Sequence, residues 1–100
     1  MDLKLDGKTA LITGSSKGIG EAVARGLARE KAIVIVHGRD RFKAEQVAKE
    51  IVADGGRAHA VVGDLTLDAD VERLVAEAQA LVGPIDIVVN NAGGSGGAED

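Results

Sequence analysis

Apolar residues fall into two alternating rhythms along the chain. Four short runs, KTALIT (8–13), AIVIVH (32–37), AHAVVG (58–63) and IDIVVN (85–90), are rich in β-branched side chains with few polar interruptions. Such runs predict strands buried on both faces, as in a parallel sheet. Between them the apolar positions recur at helical spacing. Ile19, Ala22, Val23, Gly26 and Leu27 form one stripe, and Ala44, Val47, Ala48, Ile51 and Val52 a second; Val71, Leu74, Val75, Ala78, Leu81 and Val82 form the third. Each stripe predicts an amphipathic helix with those residues inward. Gly26 on the first is expected to let helix and strand pack closely. Asp40 is expected to cap the second helix, which ends at Asp54-Gly55-Gly56. Thr66 and Asp68 are candidate caps for the third, which Gly83-Pro84 stops. Strictly alternating strands and helices require right-handed crossovers between parallel neighbours. The expectation is an α/β doubly wound parallel sheet with strand order 3-2-1-4.

Composition narrows what such a sheet could do. One hundred residues, 45% of them apolar, suffice for one small core. The chain has no cysteine, which excludes disulfides, thiolate nucleophiles and cysteine-based metal sites. The start, MDLKLDGK, lacks the apolar core of a signal peptide, and no aliphatic run approaches the roughly 20 residues of a membrane span. A cytoplasmic protein without a membrane partner is expected. The formal charge of −4 is spread without a basic stripe, so nucleic acid is not an expected partner either. His37 and His59 have no ligand spacing to one another, and His37 is read as a strand-end residue that could line a nucleotide pocket. Glu45, Lys49, Glu72, Arg73 and Glu77 fall on outer helix faces and are read as solvated.

The first strand runs into the first helix through TGSSKGIG (13–20). Glycines at 14, 18 and 20 permit a sharp turn and close approach of the backbone to a ligand, at a place where a helix N-terminus offers unpaired N–H groups. An anion, and specifically a pyrophosphate, is the expected occupant of Gly14, Ser15, Ser16, Lys17, Gly18, Ile19 and Gly20. A Walker loop is excluded, since Gly20 is followed by Glu21 and Ala22 rather than by Lys-Ser or Lys-Thr. A methyltransferase site would place an acid after the second strand to hold the ribose, and this chain has Gly38 and Arg39 there.

Taken in order, TGSSKGIG, GDL (63–65) and NNAG (90–93) resemble the short-chain dehydrogenase/reductase family. The resemblance runs through the whole chain and covers the first part of the family's usual domain. It implies a Rossmann fold that binds a nicotinamide dinucleotide, with hydride passed between the cofactor and a small carbonyl or alcohol substrate. It also implies that Asp64 and the N–H of Leu65 hold the adenine, and that the backbone of Asn91, Ala92 and Gly93 lies against the nicotinamide-side ribose, with Asn90 tying strands together. An ordinary turn role remains open for Asp64. Arg39, with Lys17 opposite, suits a 2′-phosphate, so NADP(H) is favoured over NAD(H). The family's catalytic tyrosine, lysine, serine and asparagine would lie beyond Asp100, and this chain has no tyrosine. The expectation is therefore the N-terminal, cofactor-binding portion (1–100) of one larger domain, completed by the rest of that domain and assembled as a homo-oligomer. The alternative is a non-catalytic dinucleotide-binding module or a truncated chain.

Overall fold

The structure, a computed structural model, describes residues 4–91. Seven elements follow one another: β1 (Thr9–Ile12), α1 (Gly18–Arg29), β2 (Ile33–Gly38), α2 (Arg41–Ala53), β3 (Arg57–Val62), α3 (Asp68–Val82) and β4 (Ile87–Val89). The strands form one sheet in the order β3-β2-β1-β4, every pair parallel, as the alternating pattern predicts. Thr9 to Ile12 pair with Ile33 to Val36, and Ile33 to Gly38 with Arg57 to Val62. All carboxyl ends consequently lie along one edge of the sheet.

Strand pleating divides the core between two faces. Ala10, Ile12, Val34, Val36 and Ala58 pack with Ala24 and Ala28 of α1 and with Ala44, Val47, Ala48 and Ile51 of α2. The alternate residues Leu11, Ile35 and Val61 pack with Leu74 and Ala78 of α3. Helices on both faces make the sheet doubly wound. Among the described residues, no helix is long and apolar enough to cross a membrane.

The helices agree with the pattern unequally. In α2, Ala44, Val47, Ala48 and Ile51 are buried as expected, while Val52 lies toward solvent. Asp40 caps it by accepting from the Lys43 N–H at 3.2 Å. In α3, Leu74 and Ala78 are buried with Val75 and Val82 beside them, and Leu81 is exposed. Its N-cap residue is Leu67, without a side-chain cap; neither Thr66 nor Asp68 takes that position. The reason is local: Thr66 is engaged by Asp64, and Asp68 already lies within the helix.

The largest departure is the rotation of α1. Its buried residues are Gly20, Ala24 and Ala28, with Val23 and Leu27 packed at the flank, whereas Ile19 is 77% exposed. Small side chains at i, i+4 and i+8 let the helix lie close to the sheet. The bulkier expected stripe would hold it away. Gly26 is not a packing glycine, since a Cβ there would meet no described atom within 4 Å.

Candidate functional site: the carboxyl edge of the sheet

Where β1 ends, the chain turns out of the sheet with Gly14 at φ 63° and turns again at Gly18, the first residue of α1, also at φ 63°. Both angles lie in the left-handed region that favours glycine. Gly20 is required for a different reason, close approach: a Cβ there would stand 2.2 Å from the Gly14 carbonyl oxygen and 2.7 Å from Nδ2 of Asn91. The three glycines thus supply two bends and one contact.

The turn ends at an open helix terminus. Among the described residues no side chain caps α1, whose N-cap residue is Lys17. Glu21, the acid in its first turn, is paired with Arg25. Lys17, Gly18 and Ile19 are exposed, and a Cβ at Gly18 would meet nothing described within 4 Å. N–H groups of a first helical turn lack intrahelical acceptors and carry the positive end of the helix dipole. An anion fits this cradle, and it is the location the glycine spacing predicts.

Beneath the turn lies a polar network that sequence reasoning missed. His37, the penultimate residue of β2, is 1% exposed and has both ring nitrogens occupied. Nδ1 accepts from the Gly14 N–H at 2.9 Å. Nε2 lies 2.9 Å from the Gly63 carbonyl oxygen, which can only accept, so Nε2 carries the proton. Ser15, 0% exposed, interlocks with the same residue. Its N–H donates to the His37 carbonyl at 2.7 Å, while its Oγ accepts from the His37 N–H at 2.9 Å and donates to the Ile12 carbonyl at 2.7 Å. His37 is therefore beneath the loop and not in a pocket wall, and the Ser15 hydroxyl points into the protein. The available signal was a polar residue closing an otherwise apolar buried strand, since a buried imidazole must find partners.

The other strand ends contribute in turn. Arg39, exposed, follows β2 directly. After β3, Asp64 Oδ1 accepts from the Thr66 N–H at 2.9 Å and from its Oγ1 at 2.7 Å, and the Asp64 N–H donates to Oδ2 of Asp70 at 2.8 Å. The Thr66 bonds hold the Asp64 carboxyl below its ordinary value, the hydroxyl contributing most and the Arg39 charge adding less. Asp64 thus has the turn role that sequence left open, with its second carboxylate oxygen turned to no described donor. The adjacent Leu65 N–H has no partner among the described residues.

After β4, Asn91 reaches back to β1. Its N–H donates to Thr13 Oγ1 at 2.9 Å and its Nδ2 to the Gly14 carbonyl at 3.1 Å. The tie expected of Asn90 is longer, 3.4 Å between its Oδ1 and Thr13 Oγ1, so Asn91 is the principal clasp. Ala92 and Gly93 lie outside the described residues. The remaining expected residues, from Gly14 to Gly20 with Gly38, Arg39, Asp64, Leu65 and Asn91, share this one edge. Among the described residues, surface concavities lie elsewhere, near Arg29, Lys31 and Asp54 and along β3 near His59.

Known proteins are similar to this chain in sequence and fold. The family model described as short chain dehydrogenase matches residues 8–100. A ketoacyl reductase, HetN, of Nostoc sp. is 43% identical over 89 residues, which are 89% of this chain and 31% of that protein. The crystal structure of a gluconate 5-dehydrogenase from Burkholderia cenocepacia in complex with NADP and tartrate superposes with a TM-score of 0.84 at 45% identity, covering 89% of this chain and 35% of that one. A metagenomic short-chain oxidoreductase in complex with NADP gives a TM-score of 0.83 at 40% identity, with 89% and 40% covered. The chain spans about a third of the length of these relatives. With its 3-2-1-4 parallel sheet and glycine turn, the chain belongs to the short-chain dehydrogenase family.

Proposed function

We propose that this chain is the N-terminal, cofactor-binding portion of one larger domain, in an NADP(H)-dependent oxidoreductase acting on a carbonyl–alcohol pair. The observation that carries the reading is the uncapped α1 terminus behind two left-handed glycines, on the same sheet edge as Arg39 and Asp64. A ketoacyl reductase and a gluconate 5-dehydrogenase among its relatives support the reaction class, and two NADP complexes among its structural neighbours support the cofactor.

In this reading the first-turn N–H groups of α1 bind the pyrophosphate oxygens. The Arg39 guanidinium grips the 2′-phosphate in a fork, with Lys17 approaching from the glycine turn. The unengaged Asp64 oxygen accepts from the adenine amino group while the Leu65 N–H donates to N1. The backbone at Asn91, continuing through Ala92 and Gly93, supports the second ribose. When bound, the nicotinamide gives or takes the hydride. This chain's residues orient it; proton transfer to or from the substrate belongs to residues beyond position 100.

Arg39→Asp in the full-length protein tests the cofactor assignment. One charge-assisted hydrogen bond is worth roughly 1.5–3 kcal/mol, so NADPH affinity should fall about 10- to 150-fold while NADH affinity changes little. Titration of nicotinamide fluorescence reads both. An equal loss for the two cofactors would make Arg39 structural and remove the preference for NADP(H).

A further inference from the structure

We infer that His37 is a positioning residue that holds the pyrophosphate turn and the adenine turn in register. The inference rests on the dinucleotide reading above. It starts from the direction of the two imidazole bonds: Nδ1 takes the N–H of Gly14, the first residue of the glycine turn, and Nε2–H donates to Gly63, the residue before Asp64. One rigid ring thereby spans the ends of three adjacent strands, β1, β2 and β3. Ser15 closes the network from the other side by exchanging backbone and hydroxyl bonds with His37.

The His37 ring bonds directly to both turns. A dinucleotide must contact both at once, so their relative placement sets its affinity. The ring does this only as the neutral Nε2–H tautomer, which offers an acceptor near the backbone and a donor beyond it. Asparagine retains an acceptor at the nearer position and lacks reach to Gly63. Glutamine reaches farther and leaves the Gly14 N–H without its acceptor. Each variant cuts one arm.

The test uses the full-length protein and two probes. NADPH spans both turns, whereas adenosine 2′-monophosphate reaches Arg39 and Asp64 but carries neither phosphate of the pyrophosphate. His37→Asn and His37→Gln should each raise the NADPH dissociation constant roughly 10- to 100-fold, as for one or two lost hydrogen bonds, and that of the monophosphate by less than about 3-fold. Equal changes for both probes, or unchanged affinity in a folded fraction that melts earlier, would reduce His37 to a stability role and overturn the inference. Nitrogen-15 NMR of the unsubstituted protein gives a readout that does not depend on the variants folding. A His37 ring protonated at Nε2 alone supports the inference, and one protonated at Nδ1 overturns it. If the unsubstituted protein binds neither probe while the tautomer is as stated, the dinucleotide reading has failed and the inference with it, the network itself being intact.

Discussion

Gly20 and Gly26 lie on the same helix, yet the same substitution should act on them with opposite signs. Alanine at an ordinary helical position is favoured over glycine by up to about 1 kcal/mol. At Gly26 nothing described stands within 4 Å of the added methyl, so Gly26→Ala should stabilise the protein by about 0.5–1 kcal/mol. At Gly20 the methyl would stand 2.2 Å from the Gly14 oxygen and 2.9 Å from the Gly14 carbonyl carbon. That carbonyl would have to retreat by about 1 Å, and it is held by Asn91 Nδ2 above and by the Gly14–His37 bond behind. Overpacking against a side chain costs about 1–3 kcal/mol, and here the obstacle is backbone, which places the cost at the upper end. Loss of the Asn91 bond adds about 1 kcal/mol. Set against the helix preference, Gly20→Ala should destabilise by about 3 kcal/mol and weaken NADPH. Urea denaturation of the two full-length variants beside the parent measures both signs. A Gly20→Ala protein as stable as the parent would refute the seating of α1 on the glycine turn, and a destabilised Gly26→Ala would mean that another segment covers that face.

Three further outcomes follow from the same contacts. Asp64 should titrate below the ordinary 3.8 in a carboxyl-carbon NMR experiment, and Thr66→Val, which removes the hydroxyl donor, should raise its midpoint. Because the folded-state value is depressed, the Thr66 bonds stabilise the fold fully above 3.8 and cease to do so as pH falls through the lower folded value. Asp40→Ala should destabilise by about 1 kcal/mol through loss of the α2 cap, with cofactor preference unchanged. Residues 1–100 produced alone should self-associate, because β4 pairs only with β1 among the described residues and Val88 is 63% exposed; a monomer with a sharp melting transition would count against this.

Strand order was legible because dense β-branched runs separated by helical stretches leave few topologies once parallel pairing and crossover handedness apply. The inward face of α1 was not. Periodicity weights the largest apolar residues, and Ile19 with Ala22 and Val23 outweighs the stripe Gly20, Ala24 and Ala28 that the helix buries. What selects the smaller stripe is the distance from helix to turn, which hydropathy does not encode. In α2 and α3 the bulky stripe and the buried face largely coincide.

The two ends of the proposed site differ in the same way. Its adenosine end rests on side chains, Arg39 and Asp64, whose chemistry is apparent from residue type and position after a strand. Its pyrophosphate end rests on main-chain N–H groups, which any sequence possesses, so its competence depends on what holds them in place. The glycines permit that conformation, and His37 with Ser15 fixes it through bonds that join residues 23 and 22 positions apart. Substitution at the two ends should therefore separate in one measurement. Arg39→Asp should change the ratio of NADPH to NADH affinity, because only one of the two carries the phosphate it would grip. His37→Gln, which leaves the Gly14 N–H without its acceptor, should lower both affinities in parallel, because both dinucleotides cross the same turn. A His37 variant that altered the ratio alone would mean that its effect passes through neighbouring Arg39 and that the glycine turn keeps its shape without the imidazole.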